Sequence, residues 1–389
     1  MRVQEGNMKK HISAILIAAA LFAGVTAHNF PSVVPASAEP VGSAYFDMEA
    51  HRGGRDARPE NTLYSFAYAI EMGVAAIECD LQLTADKNIV VSHNPLLNSE
   101  ITRYKGTDRY VGTDIYDIRK MTVAEIKKFD VARIAEDPNP ESYYGLHGRT
   151  QVTPESAEIP TLDELFMLVK DTGYDGMINI ETKLYPDPEC RVEYANNADC
   201  KKFVKILYDK VKKYGLEKQV ILQSFDWSSL IEMKKIAPEI LTSALWSRQP
   251  SWGAGGDTVR AGSADKSPWL GGIDIKDYGG DPIKAAHAIS ADIVSPYFCE
   301  LSKDDVTLAH KYGMKVVPWT VNDESDMEML YDMGVDGIIT DRPWLLRSLL
   351  EKKGAKIPPL RPAVKTYHLE PNRRDVKTKR AGNDSDVSS

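Results

Sequence analysis

The sequence predicts an α/β protein folded as a single TIM (β/α)8 barrel with a small insertion at its C-terminal mouth. Three observations carry that prediction. Apolar strand-like runs alternate with amphipathic helical runs almost without a break from Ala44 to Leu350, the pattern of parallel strands joined by crossover helices. Several of the helical runs stop at glycine, as helix ends do. No Gly-rich dinucleotide fingerprint follows the first strand, because His51-Arg52-Gly53-Gly54 is too short for one, and this favours a closed barrel over an open doubly wound sheet. A chain of 389 residues, 43% hydrophobic, suits one barrel of common size as well as two or three average domains.

Taken in order, the strands are expected at Tyr45 to His51, Ala75 to Leu83, Ile89 to His93, Gly176 to Lys183, Gln219 to Phe225, Leu241 to Trp246, Ile293 to Tyr297, Lys315 to Thr320 and Gly337 to Thr340. That is one more than eight, so one of them is peripheral. Helical periodicity falls between them at Thr62 to Met72, Leu162 to Thr172, Lys201 to Tyr214, Ser228 to Ala237, Asp304 to Tyr312 and Ser325 to Met333. Residues 94–160 interrupt the alternation with a polar, Tyr- and Asp-rich stretch holding one clear helix, Thr122 to Phe129, read as a small subdomain over the barrel mouth. A second irregular loop, Ser247 to Gly280, is rich in Gly, Asp and Trp and is read as lining the same mouth.

The two ends of the chain read differently from its body. Met8-Lys9-Lys10 begins a basic stretch followed by the apolar run Ile12 to Ala27, which has the form of a signal peptide and is short for a spanning helix. Cleavage after Ala27 or Ala38 fits the small residues there, so residues 1–38 are a leader and the protein is expected to be exported, periplasmic or extracellular. An uncleaved N-terminal anchor is the alternative. Beyond Gly354 the chain turns Pro-rich and basic, and disorder is expected over 357–389. Residues 352–389 carry ten Lys or Arg against four Asp or Glu. Contact of this tail with an anionic envelope surface is the functional reading, and a solvated end is the plainer one. With a formal charge of −8 overall, the body left between leader and tail is strongly acidic, which argues against nucleic-acid binding. An anionic substrate then needs local positive charge. Export permits disulfides. Cys190 and Cys200 bracket a short polar stretch and are the expected pair, whereas Cys79 sits in an apolar strand and reads as a buried small hydrophobe; Cys299 is left open.

Candidate chemistry gathers at strand ends. Side chains alternate across a strand, so Glu78 and Asp80 face one side and Cys79 the other. The apolar strand Ile178-Asn179-Ile180-Glu181-Thr182-Lys183 likewise puts Glu181 and Lys183 on one face, either as site residues or as a structural salt bridge. Three carboxylates suit one hard divalent cation, Ca²⁺ ahead of Mg²⁺, better than zinc. His51 and His93 end two short apolar strands, and imidazoles so placed can take a proton from a nucleophile and give one to a leaving alkoxide. Arg52 can fork onto a phosphate beside the sharp turn that Gly53-Gly54 allows. Pro59-Glu60-Asn61-Thr62 is read as a helix N-terminal cap, with Glu60 close to the site. The chemistry these groups suit is metal-assisted phosphodiester hydrolysis.

The same residues resemble the glycerophosphodiester phosphodiesterase family, whose signature runs His-Arg-Gly, Pro-Glu-Asn-Thr, Glu-x-Asp, His-Asp. The last element here reads His93-Asn94, which leaves the histidine in place and changes what orients it. The likeness extends to Ile180 to Lys183, Gln223-Ser224-Phe225, Pro318 to Asn322 and Asp336 to Pro343, and covers about residues 44–350. It implies a TIM barrel that hydrolyses a small-molecule glycerophosphodiester to glycerol phosphate and an alcohol. In it, His51 and His93 are the acid/base pair, Glu78, Asp80 and Glu181 the metal ligands, Arg52 and Lys183 the phosphate contacts, and Trp319 packs on the glycerol. The competing readings are a barrel phospholipase acting on intact lipids, of the sphingomyelinase D or phosphoinositide-specific kind, and a non-catalytic envelope-binding protein.

Overall fold

The computed structural model describes residues 45–147, 150–186, 200–252 and 256–369. The leader over 1–38, the Cys190 partner of Cys200 and the tail from residue 370 lie outside them. The strands are β1 Asp47–Ala50, β2 Ala76–Leu83, β3 Ile89–Val91, β4 Arg103–Tyr104, β5 Phe129–Asp130, β6 Met177–Thr182, β7 Val220–Ser224, β8 Leu241–Trp246, β9 Ile293–Pro296, β10 Lys315–Val316 and β11 Gly337–Thr340.

Eight of these form one parallel sheet in the order β11, β1, β2, β6, β7, β8, β9, β10. The sheet is nearly closed on itself. β10 is short, because Pro318 has no N–H to give a ladder, yet backbone bonds from Asp336 N to Val316 O (2.9 Å), from Ile339 N to Pro318 O (3.0 Å) and from Val321 N to Ile339 O (3.0 Å) span the seam to β11. The supernumerary strand is β3, which folds back antiparallel on β2 with Leu81 opposite Val91. It lies outside the parallel order because a short hairpin joins the two, whereas parallel neighbours need a long crossover.

Alternation along the strands divides the core in two. Met48, Ile77, Cys79, Leu81, Ile178, Ile180, Leu222 and Ile338 face outward and pack with the surrounding helices. On the inner side, Ile221, Ile293, Val317 and Ile339 form a separate apolar cluster, while β1, β2, β6 and β7 turn Glu49, Glu78, Asp80, Asn179, Glu181 and Gln223 inward. The helices expected from periodicity appear at Leu63–Glu71, Leu162–Thr172, Cys200–Tyr214, Trp227–Ile236, Lys303–Lys311 and Glu324–Met333. Two more, Pro282–Ala288 and Pro343–Lys352, begin on proline at the first helical position.

The insertion has its own small core of Leu97, Val111, Ile118, Ile126, Phe129 and Ile159, tied by the β4–β5 pair. Its expected helix Thr122 to Phe129 is a single turn, Val123–Ile126, since Phe129 is drawn into β5, where it packs against Tyr104 and Tyr116. A second correction concerns the tail. Residues 357–369, expected to be disordered, lie strapped against the barrel. Arg347 is buried and donates to the carbonyls of Met72 (2.8 Å), Gly73 (2.9 Å) and Pro358 (2.6 Å). Glu71 accepts from Val364 N (2.8 Å) and sits 2.9 Å from His368 Nδ1. A buried guanidinium and a carboxylate thus supply partners that composition does not reveal. The fit is close at Gly73, with φ +60°, where a Cβ would collide with the Pro359 carbonyl oxygen.

Candidate active site

The acids come together through register. Glu78 and Asp80 are fully buried, and parallel pairing sets Asp80 beside Glu181 and Glu181 beside Gln223. Ligand oxygens of Glu78, Asp80 and Glu181 lie within 4.8 Å of one another. Glu78 accepts from Arg52 N (2.7 Å) and Gln223 Nε2 (2.9 Å). Asp80 accepts from Asn61 Nδ2 (2.8 Å), and Lys183 Nζ stands 2.5 Å from Glu181 Oε1 and 3.0 Å from Asp80 Oδ1. The expected Glu181–Lys183 salt bridge therefore exists, and it exists inside the site.

Burial raises Glu78 well above the usual carboxylate range, with the charges of Asp80 and Glu181 adding to it. Burial also pushes Glu181 up to about 7. Asp80 goes the other way: burial pushes it up, but Lys183 and Arg52 together hold it well below its ordinary value. Asp80 Oδ1 is buried and accepts no hydrogen bond, with the Lys183 ammonium near but misaligned. An all-oxygen set with a spare buried acceptor fits a hard divalent cation.

Each histidine is held at Nδ1. His51 Nδ1 lies 2.6 Å from Asp341 Oδ1, which also accepts from Arg55 Nε (2.7 Å), while Asp341 Oδ2 accepts from Asn322 Nδ2 (2.7 Å). His93 Nδ1 lies 2.7 Å from Asn94 Oδ1. Both partners present acceptor oxygens, so Nδ1 carries the hydrogen and Nε2 keeps the lone pair. The Asn94 amide thus orients His93 without supplying a charge. Burial brings His51 down to about 4, against the upward pull of Asp341. His93 is lowered by burial first, then by Arg52 and Lys183.

The Pro59-Glu60-Asn61-Thr62 expectation needs revising. Thr62 alone caps the helix, in a reciprocal box with Ser65. Glu60 grips Arg52 Nη1 with both oxygens (3.0 and 3.2 Å), and Asn61 holds Asp80. Arg52 and Asn61 both adopt positive φ, +51° and +54°, strain of the kind found where neighbours dictate a functional geometry.

His51, Arg52, Glu78, His93, Glu181, Lys183 and Trp319 all line one cavity of about 180 Å³, together with Arg55, Gln223 and Phe225. Asp80 sits behind it. Trp319 donates Nε1 to Ser295 O (2.8 Å) and packs between Phe225, edge-on at 5.3 Å, and Tyr297, at 5.6 Å between ring centroids, at the wall of the cavity. The loop 247–280 reaches this wall only indirectly among its described residues: Trp269 backs Phe225, at 6.4 Å between centroids. The insertion comes closer, stacking Tyr143 on the Arg55 guanidinium at 3.6 Å.

Sequence reasoning passed over Arg55, Gln223, Asn322 and Asp341 as site residues. A signal existed for Asp341, which follows the end of β11 as His51 follows β1. Asn322 and Arg55 lie in loops, where nothing local fixes their direction.

The sequence profile of the glycerophosphoryl diester phosphodiesterase family matches residues 51–345. A glycerophosphodiester phosphodiesterase of Caldanaerobacter subterraneus subsp. tengcongensis is 30% identical over 309 residues, covering 78% of this chain and 98% of the relative. One from Bacillus subtilis strain 168 is 28% identical, covering 78% and 86%. Among solved structures, a protein of Silicibacter pomeroyi DSS-3 assigned as a glycerophosphoryl diester phosphodiesterase superposes with a TM-score of 0.66 at 28% identity, covering 82% of this chain and 98% of the other.

Proposed function

This chain belongs to the glycerophosphoryl diester phosphodiesterase family, a family of phosphoric diester hydrolases, and from that premise we propose that it cleaves glycerophosphodiesters with His51 and His93 as the acid/base pair beside one divalent cation held by Glu78, Asp80 and Glu181. The observation that carries this reading is the joint geometry. Glu78 and Glu181 line the same cavity as Arg52, Lys183 and the two histidines held at Nδ1, and Asp80 stands just behind it, with the three carboxylates within 4.8 Å of one another.

Arg52 and Lys183 offer N–H donors and positive charge to the phosphoryl oxygens. A bound cation supplies further neutralisation of that charge. One histidine takes a proton at Nε2 from the nucleophile, and the other gives one to the leaving alkoxide. Both are neutral at rest by burial, and the negative charge of the bound diester favours the imidazolium that must enter as acid. The nucleophile is a hydroxyl of the glycerol, giving a cyclic phosphate that water then opens; direct attack by water is the alternative. Trp319 packs on the glycerol carbons. Ca²⁺ is preferred over Mg²⁺ because the cluster is rich in carboxylate and needs no strict octahedron. We place the mature protein outside the cytoplasm on the strength of the Met8 to Ala38 leader, and N-terminal sequencing of exported protein tests that.

The central experiment is release of glycerol phosphate from a panel of glycerophosphodiesters after chelation and after return of Ca²⁺, Mg²⁺ or Mn²⁺. Activity lost on chelation and restored by one ion is the expected result. Faster hydrolysis of intact lipid vesicles than of deacylated headgroups, or binding of diesters without turnover under any ion, overturns it.

A further inference from the structure

One buried carboxyl of the barrel interior has no part in the chemistry above. Glu49 lies two residues before His51 on β1, faces inward and is only 1% exposed. Its Oε2 accepts from Asn179 Nδ2 at 2.7 Å. The same Asn179 nitrogen also donates to Gln223 Oε1 at 3.1 Å, and Gln223 Nε2 then donates to Glu78 Oε1 at 2.9 Å. The second oxygen of Glu78 accepts from Arg52 N. A continuous ladder thus runs from Glu49 across β6 and β7 back to a carboxylate of the site.

We propose that Glu49 is a positioning residue that sets the direction of this ladder, so that Gln223 presents its NH₂ group, and not its carbonyl, to Glu78. The proposal rests on the reading of Glu78 as a cation ligand. Carboxamides are reversible: turned over, each offers an acceptor where it had offered a donor. Asn179 Oδ1 has no hydrogen-bond partner, so the amide keeps this direction at the expense of one buried acceptor. The acceptor that holds it there is Glu49. Turning Asn179 over sets Oδ1 against Glu49 Oε2 and Gln223 Oε1, and relief of the second clash turns Gln223 over as well. Its carbonyl then opposes Glu78 Oε1, and the carboxylate is displaced from its place beside Asp80 and Glu181. Burial keeps Glu49 above the usual carboxylate range, and even a neutral carboxyl retains an acceptor oxygen for Asn179.

The test uses the full, chelator-treated chain without substrate, titrated with Ca²⁺ by calorimetry, with thermal melts to establish folding. Glu49→Leu removes the acceptor and is expected to weaken Ca²⁺ binding by about tenfold or more, the range for partners that orient a metal ligand. Glu49→Gln restores an acceptor carbonyl and is expected to bind within about twofold of wild type, since one neutral acceptor replaces another. Wild-type affinity in a folded Glu49→Leu, or equal losses in both variants, overturns the proposal. Should Glu49→Leu fail to fold, Asn179→Leu tests the same ladder: Gln223 loses the donor that holds its Oε1, Ca²⁺ affinity falls, and unchanged affinity overturns the ladder. A wild-type chain that binds none of Ca²⁺, Mg²⁺ or Mn²⁺ removes the cation reading itself, and this proposal with it.

Discussion

Replacing Asp341 by Asn changes one atom at the buried junction where His51 is held. Asp341 Oδ1 receives His51 Nδ1 at 2.6 Å and Arg55 Nε at 2.7 Å, while Oδ2 receives Asn322 Nδ2 at 2.7 Å. An amide has one acceptor. With its oxygen toward His51 and Arg55, its NH₂ opposes the NH₂ of Asn322; reversed, its NH₂ opposes the N–H groups of His51 and Arg55 at once. Either way the negative charge beside Arg55 is lost. Breaking a buried ion pair from one side costs about 3–5 kcal/mol. Arg55 keeps Glu60 at 3.7 Å and the Tyr143 ring at 3.6 Å, so about 3 kcal/mol is the fitting figure. For catalysis, Asp341 is the main influence raising His51 against burial, so its loss drives the imidazole below about 4 and frees the ring to turn. Proton transfer by a placed side chain is worth about 10²–10⁴-fold. We therefore expect kcat to fall by about 10²-fold or more, about 2.7 kcal/mol in the barrier, with KM little changed. The assay is glycerol phosphate release at saturating cation, beside a urea melt. A folded Asp341→Asn protein with kcat near wild type refutes the role given to this carboxylate.

The remaining predictions concern charge and burial elsewhere. Burial and neighbouring carboxylates raise Glu78 and Glu181, the latter to about 7, and ligands bind cations deprotonated. Cation binding should therefore release protons and weaken as pH falls through about 7, which calorimetry in buffers of different ionisation enthalpy reads directly; no proton release counts against the site. Asn94→Asp puts a charge beside His93, raises its pKa and should move the imidazolium limb of the pH–rate profile upward, whereas Asn94→Ala should lower kcat by about tenfold, one net hydrogen bond. Arg347→Met leaves three carbonyls without their donor and should cost about 3 kcal/mol in a denaturant melt with kcat unchanged. Asp341 is depressed in the folded protein, because Arg55 and His51 outweigh the burial that raises it. Its contribution is then complete above the unfolded value of about 3.9 and is lost as pH falls below it, so acid should destabilise wild type more steeply than Asp341→Asn.

Much of the molecule was legible in its sequence because local periodicity and strand alternation are local properties. The period of the apolar residues placed the helix Leu162–Thr172 to the residue. Alternation alone separated Cys79, now packed outward, from Glu78 and Asp80, and it put Glu181 and Lys183 on one inner face. What the sequence could not reveal depends on partners distant along the chain. Register set Glu181 beside Asp80, and closure of the barrel set Asp341 against His51, 290 positions away. Gln223 reaches Glu78 only through the register of β2, β6 and β7, whereas Glu60 and Asn61 find Arg52 and Asp80 through the turn after β1, whose path no short-range pattern reveals. Likewise the segment 357–369 reads as a disordered end, and only the folded barrel shows what it binds: the buried Arg347, the half-buried Glu71 and the Tyr64 ring against Tyr367. The sequence by itself determined which side chains face inward and what chemistry they suit, since those follow from bond geometry over a few residues. Tertiary structure decided which of them meet, because hydrogen bonds of 2.6–3.0 Å between residues far apart in the chain exist only after every strand has taken its register.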